Sequence, residues 1–205
     1  MKVGVIALQG GYAEHISMLS RCGARAYPVR LPSHIDGLNA IVIPGGESTS
    51  LKILMGEYGL LGPLRDLISR GLPVFGTCAG MVLLALEPTD SNRSSLGAMD
   101  IEVDRNAFGR QADSFQSELS VPALGNRPFP GVFIRAPIVR AVGDGVQVLC
   151  RLPDGVIVAA QQDNRLACSF HPELTDDLRF HKYFLSLDRG DVFAKSSYGR
   201  SQRTA

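Results

Sequence analysis

An excess of charge of one sign is missing: 21 Lys and Arg face 20 Asp and Glu, a formal net charge of +1. Such a balance gives no long-range field for gathering nucleic acid or an anionic membrane surface. A compact substrate or a protein partner is expected instead, with no nucleic acid and no membrane. Nor does any stretch reach the roughly 18 consecutive apolar residues that a spanning helix needs. The opening MKVGVIALQGG has neither the long apolar core nor the small-residue cleavage site of a secretory signal, so the expected location is cytoplasmic. The four cysteines, Cys22, Cys78, Cys150 and Cys168, are widely spaced, with no CxxC pair. That spacing argues against a disulfide framework or a zinc knuckle. Free thiols are expected, and the question becomes which one reacts.

What is present is ordinary globular usage: 205 residues, 45% hydrophobic and 20% charged, within the range of one large domain. Residues 1–187 are expected to form it, and 188–205, with little periodicity, a flexible tail. Segments 2–8, 24–30, 39–44 and 72–76 read as strands; 39–44 is almost wholly apolar, as in a strand covered on both faces. Helical spacing fills 12–22, the stretch through Leu51, Ile53, Leu54 and Met55, and 63–68. This alternation predicts a doubly wound, mainly parallel α/β sheet with helices on both faces. Shorter strands at 101–103, 132–134, 146–152, 156–160 and 166–170, divided by Gly, Pro and Asp turns, predict antiparallel additions to that sheet. Residues 88–95 read as a polar surface loop, and 175–187 as a closing helix with Asp176 and Asp177 in its first turn.

Three strand ends carry candidate chemistry. Residues 73–81, PVFGTCAGM, place Gly-x-Cys-x-Gly between a buried strand and a helix, the form of a nucleophile elbow. Gly76 and Gly80 permit a strained turn that presents Cys78, and the backbone N–H of Ala79 can face a developing oxyanion. The plainer account, a structural cysteine in a strand-to-helix turn, would be favoured without the two glycines. A thiol also needs a base. Of four histidines, His15 and His34 default to surface or packing roles, whereas His171 follows a strand and precedes Pro172-Glu173. Residues two apart on extended backbone project to the same side, so Glu173 can reach the imidazole and fix its tautomer. The competing account is that His-Pro-Glu merely opens the last helix. Gly45-Gly46-Glu47-Ser48, after the strand at 39–44, allows close backbone approach to a substrate, with an N–H of this turn as a second oxyanion donor. As a phosphate loop it is weak, because it matches neither GxGxxG nor the P-loop pattern.

PGGEST, FGTCAG, DRNAFGRQ, GVFIRAP and SFHPELT, in that order, closely resemble the glutaminase subunits of pyridoxal 5′-phosphate synthase, among the triad-type, class I glutamine amidotransferases. The resemblance covers about residues 2–187. It implies a flavodoxin-like form of the α/β fold, Cys78 as nucleophile, His171 and Glu173 as relay, and Gly46 and Ala79 as oxyanion donors. It places glutamine contacts on Gly45, Gly46, Glu47, Ser48, Arg105, Ile134 and Arg135. Those residue types suit the substrate: a guanidinium for the α-carboxylate, a carboxylate for the α-ammonium, and a thiol facing the amide. The plain alternative for the two arginines is solvated surface charge. The resemblance further implies hydrolysis of L-glutamine to glutamate and ammonia for vitamin B6 biosynthesis, delivery of the ammonia to a (β/α)₈-barrel synthase subunit in a hetero-oligomer, and no metal or organic cofactor. The 88–95 loop and the tail have no clear counterpart in it. Two other readings stand beside it: a free-standing cysteine hydrolase of the same fold, acting on γ-glutamyl compounds or peptides, and a catalytically silent regulatory subunit.

Overall fold

Successive side chains of a strand point to opposite faces, so one buried sheet can serve two cores. Ala40 and Val42 enter one hydrophobic cluster, and Ile41 and Ile43 the other. The computed structural model describes residues 1–86, 95–105 and 114–187. Its first half runs β1 (Lys2–Ile6), α1 (Tyr12–Arg21), β2 (Arg25–Val29), β3 (Ala40–Ile43), α2 (Ser48–Glu57), α3 (Leu61–Ser69), β4 (Val74–Thr77) and α4 (Ala79–Leu84). The second half runs β5 (Ile101–Asp104), β6 (Ser114–Leu119), β7 (Phe129–Ile134), β8 (Ile138–Val142), β9 (Val146–Arg151), β10 (Ile157–Gln162), β11 (Arg165–Cys168) and α5 (Arg179–Ser186).

Five strands pair in parallel in the order β2-β1-β3-β4-β11. That is the flavodoxin-like order, with its reversal of direction between β1 and β3. From β11 outward the pairing turns antiparallel, through β10 to β8 and β5, with β9 also on β10. On one face Leu19 of α1 and Phe180, Tyr183 and Phe184 of α5 close the core, together with Leu119, Phe129 and Phe133 from β6 and β7. On the other, Leu51 and Met55 of α2, Leu64 and Ile68 of α3, and Met81 and Leu84 of α4 do so. No described helix is long and apolar enough to cross a membrane.

The second half departs from the sequence reading in four ways. The strand expected at 166–170 among the antiparallel additions is β11, which is antiparallel to β10 but parallel to β4 and so completes the parallel part of the sheet. The strand expected at 132–134 does not extend the main sheet: β7 pairs only with β6, as a separate two-stranded sheet. Strands β6 and β8 were not expected: SFQSEL of β6 is mainly polar, whereas IVRAV of β8, apolar at all but Arg140, is a five-residue run directly after Pro137. The closing helix begins at Arg179 instead of residue 175, so Asp176 and Asp177 precede it. Short polar side chains there satisfy the backbone locally: the Thr175 hydroxyl accepts from the Asp177 N–H at 3.2 Å, and the Asp177 carboxylate from the Arg179 N–H at 3.0 Å. Such bonds compete with a helical turn. The loop expected at 88–95, apart from Ser95, and the tail at 188–205 lie outside the described residues.

Candidate active site

Parallel pairing sets the C-terminal ends of β3, β4 and β11 side by side, with Ile43 opposite Gly76 and Cys168 opposite Thr77. The chain leaves these ends into Gly45, Cys78 and His171, the crevice position where open α/β sheets hold ligands. Cys78 has φ 49° and ψ −104° between β4 and α4. A non-glycine residue at positive φ is strained, and such strain gathers at functional sites. The flanking glycines answer a different need from the one the sequence suggests, because neither has positive φ. A Cβ at Gly76 would lie 2.6 Å from the Gly80 backbone, and one at Gly80 would lie 2.1 Å from the Ile43 carbonyl oxygen. They let the elbow pack hard against β3.

His171 Nδ1 meets Glu173 Oε1 at 2.8 Å, with both residues buried. The contact does not depend on extended backbone, since Pro172–Leu174 forms a 3₁₀ turn that brings the carboxylate back under the ring. Burial alone would lower the His171 pKa; hydrogen bonds to Cys78 and Glu173, and their charges, overcome it and raise the value. Burial alone would raise the pKa of Glu173, but His15 and His171 on its two sides bring it below the ordinary carboxylate value. With Nδ1 committed to Glu173, Nε2 is the nitrogen left for the sulfur. Burial raises the pKa of Cys22, Cys150 and Cys168, the last well above the usual thiol. All four cysteines are free.

The 45–48 loop closes the crevice. Gly45 is buried so tightly that a Cβ would lie 2.3 Å from His171 Cε1. Its N–H donates to Thr77 Oγ1 at 3.0 Å, and its carbonyl accepts from the Gly11 N–H at 3.2 Å. The N–H and C=O of a trans peptide point to opposite sides, so the Gly46 N–H faces away from Gly11. Ala79 opens α4, and an N–H in the first turn of a helix has no intrahelical acceptor. Glu47 caps α2: Oε1 accepts from the Thr49 N–H at 2.9 Å, and Oε2 from the Ser50 N–H and hydroxyl, each at 2.7 Å. Those bonds, the Ser50 hydroxyl foremost, lower its pKa to about 2, which keeps it anionic. Gln9 secures the loop from β1, its amide donating to the Glu47 carbonyl at 2.8 Å and accepting from the Glu47 N–H at 3.3 Å.

A pocket of about 450 Å³ is lined by Gly46, Glu47, Ser48, Thr49, Cys78, Ala79, Val82, Arg105, Ile134, Arg135, Pro137 and His171. Of the residues singled out from sequence, Glu173 lies beneath the wall and Gly45 behind it; the others line it. Arg135 also has positive φ, at 43°. The rest of the DRNAFGRQ segment, from Asn106 to Gln111, lies outside the described residues. Sequence reasoning missed Thr49, Val82 and Pro137 on the wall, and His15, Thr77 and His181 behind it. For His15 a signal was there: it shares the buried face of α1 with Met18 and Leu19, at spacings of three and four. No His, Cys, Asp and Glu cluster suited to a metal occurs among the described residues.

The model of the SNO glutamine amidotransferase family matches residues 5–187. The chain is 52% identical over 185 residues to "Pyridoxal 5'-phosphate synthase subunit PdxT" of Carboxydothermus hydrogenoformans, covering 90% of this chain and 96% of that one. It is 54% identical over 185 residues to the protein of the same name from Pelotomaculum thermopropionicum, covering 90% and 94%. A crystal structure of a glutamine amidotransferase, 46% identical, superposes with a TM-score of 0.84 over 91% of this chain and 98% of that one. A putative GMP synthase subunit from Thermoplasma acidophilum, 17% identical with a TM-score of 0.68 over 92% and 94%, shares the fold.

Proposed function

Because the chain belongs to the SNO glutamine amidotransferase family, we propose that it is the glutaminase subunit of a pyridoxal 5′-phosphate synthase, hydrolysing L-glutamine to L-glutamate and ammonia for vitamin B6 biosynthesis. The observation that carries the chemistry is the placement of His171 between the sulfur of Cys78 and the Glu173 carboxylate at the floor of the pocket. The Cys78 thiolate attacks the side-chain carbonyl carbon of glutamine, and the Gly46 and Ala79 N–H groups receive the oxyanion. Collapse breaks the C–N bond as the His171 imidazolium gives its proton to the departing ammonia. A γ-glutamyl thioester remains. His171 then takes a proton from water, the hydroxide displaces the sulfur, and glutamate leaves with the thiolate–imidazolium pair restored. Glu173 holds the ring and its positive charge throughout. Arg105 and Arg135 take the α-carboxylate and Glu47 the α-ammonium, its unused lone pairs remaining available beside the cap.

The ammonia passes to a barrel-shaped synthase subunit in a hetero-oligomer. The relatives' names, which call them subunits, support a partner. We place the protein in the cytoplasm, with residues 1–187 as one glutaminase domain. Activity responds to the partner through the turn at residues 8–11, which the Gln9 and Gly11 bonds tie to the 45–48 loop. Glutamate release is to be measured at saturating glutamine with the purified chain alone and with an equimolar barrel synthase. A rise with the partner is expected; no release in either case, with Cys78 intact, overturns the reading, and equal release in both makes the chain a free-standing hydrolase.

A further inference from the structure

Four polar side chains are buried together behind the pocket: His15 of α1, Thr77 of β4 and His181 of α5, each 0% exposed, and Glu173, 5% exposed. His15 Nε2 lies 3.3 Å from Glu173 Oε2 and 3.1 Å from Thr77 Oγ1, and its Nδ1 lies 3.0 Å from His181 Nε2. Glu173 therefore has a histidine beside each oxygen: His171 hydrogen-bonded to Oε1, and His15 3.3 Å from Oε2, a buried oxygen with no hydrogen bond of its own.

One arrangement of protons suits this cluster better than the other. A bond between two imidazoles needs one donor and one acceptor. Were Nδ1 of His15 protonated, its Nε2 would turn a lone pair to the carboxylate. His181 would then accept at Nε2 and carry its own proton on Nδ1, a buried atom with no bonding partner. An orphaned buried N–H is rare and costly. In the opposite arrangement His181 Nε2–H donates to His15 Nδ1 and His15 Nε2–H donates to Thr77 Oγ1 beside Glu173 Oε2; a lone pair on His181 and the proton of the Thr77 hydroxyl, which rotates about its C–O bond, are left over. Burial favours the neutral state of both rings, lowering the pKa of His15 and, with His15 beside it, bringing that of His181 to about 3.

We propose that His15 is a positioning residue for the catalytic relay: its Nε2–H, fixed by His181, is bonded to Thr77 Oγ1 and set 3.3 Å from Glu173 Oε2, where its polarity favours the carboxylate orientation that keeps Oε1 on His171, and through Thr77 the same network reaches the Gly45 N–H. Being neutral, it orients the carboxylate without cancelling its charge, which remains for the imidazolium. A buried cation in its place would compete with His171 for that charge. The inference rests on the reading of Cys78, His171 and Glu173 as nucleophile and relay.

The charged and titratable groups that face the cluster are Glu14 on α1, His181 on α5, Cys168 on β11, and His171 and Cys78 in the site. Of these, His171 gives Glu173 a hydrogen bond, and His15 itself lies within ion-pair distance of its other oxygen. His15→Leu, which removes the polar group beside Oε2 and the bond to Thr77, should lower glutaminase kcat by about tenfold, about 1.4 kcal/mol in the barrier, with KM changed little. It should also move the acid limb of the rate profile to higher pH, since Glu173 then protonates more readily. His15→Gln, whose amide can occupy the Nε2 position, should recover most of both effects, whereas His15→Asn reaches only the Nδ1 position and should behave like His15→Leu. If His15→Leu does not fold, the Gln and Asn pair carries the test.

Kinetics are measured on the full chain with its synthase partner, and the pH dependence of Cys78 alkylation by iodoacetamide is followed in parallel by mass mapping. Folded variants with unshifted pH profiles and unchanged kcat, or equal impairment by Gln and Asn, overturn the proposal. If the unsubstituted chain is not alkylated first at Cys78, the underlying reading fails instead.

Discussion

Cys78 combines positive φ with a place at the start of α4 and an imidazole beside it, whereas burial raises the pKa of the other three thiols. A glutamine-like electrophile should therefore label Cys78 before Cys22, Cys150 or Cys168, as mass mapping of the modified chain will read. Cys78→Ala should abolish glutamate release with the melting temperature little changed, because the side chain lies in a turn at the pocket floor. Label found mainly on another cysteine would remove it as nucleophile. Glu173→Gln keeps the shape but removes the charge that favours the imidazolium, so kcat should fall by up to about 10⁴-fold, as for the equivalent loss in a serine triad. Glutamine binding should change modestly, and near-normal turnover would reduce Glu173 to a turn residue. The His-Pro-Glu spacing was legible in the sequence. The 3₁₀ turn that makes the contact was not, since two-residue spacing allows the same meeting through different backbones.

Helix α2 depends on Glu47 for its first turn, and the same carboxylate lines the pocket. Glu47→Ala should free the Thr49 and Ser50 amides to exchange faster with solvent and raise KM for glutamine more than it lowers kcat. Amide exchange by mass spectrometry separates the two effects; unchanged KM with a frayed α2 would leave Glu47 as a cap alone. The link between the turn at 8–11 and the 45–48 loop belongs to this scale too. Gln9→Ala removes both side-chain bonds to Glu47, so the rise in glutamate release produced by the synthase partner should shrink at saturating glutamine. An undiminished rise would place the coupling elsewhere. Neither link was visible in sequence, because Gln9 and Glu47 are 38 residues apart and only the parallel pairing of β1 with β3 brings their loops together.

For the whole molecule, the burial of histidine makes stability sensitive to acid. The folded-state pKa of His15 is lowered, and that of His181 is lowered to about 3, from 6.5. Above pH 6.5 both are neutral whether folded or not and cost nothing. As pH falls below 6.5 the unfolded chain takes up protons that the folded chain refuses, so stability is lost at up to about 1.4 kcal/mol per pH unit per histidine. His171 has the opposite sign: with a raised folded pKa its contribution is complete below 6.5 and declines as pH rises above it. Glu173, lowered, adds a loss below about its ordinary value of 4.5. Denaturant melts between pH 7 and 5 should thus show falling stability, with a shallower slope in His181→Leu; an identical slope would mean that His181 is protonated in the folded state.

Local pattern was enough for β1 to β4 of the parallel sheet, the elbow at Cys78 and the turn at Gly45-Gly46, because continuous apolar strands and clustered glycines report their surroundings within a few residues; it did not show that β11 joins them in parallel. It also marked His171 and Glu173 as candidates, whereas Arg105 and Arg135 came only from the resemblance carried by DRNAFGRQ and GVFIRAP. Tertiary structure alone decided the separate β6–β7 sheet, whose alternating polar residues suit more than one partner, and the late start of α5, where side-chain bonds compete with a helical turn. It alone brought His15, Thr77 and His181 from three elements to the back of Glu173. A histidine in an amphipathic helix carries no sign of which carboxylate it will meet, because that depends on how α1 and α5 pack across the same face of the sheet.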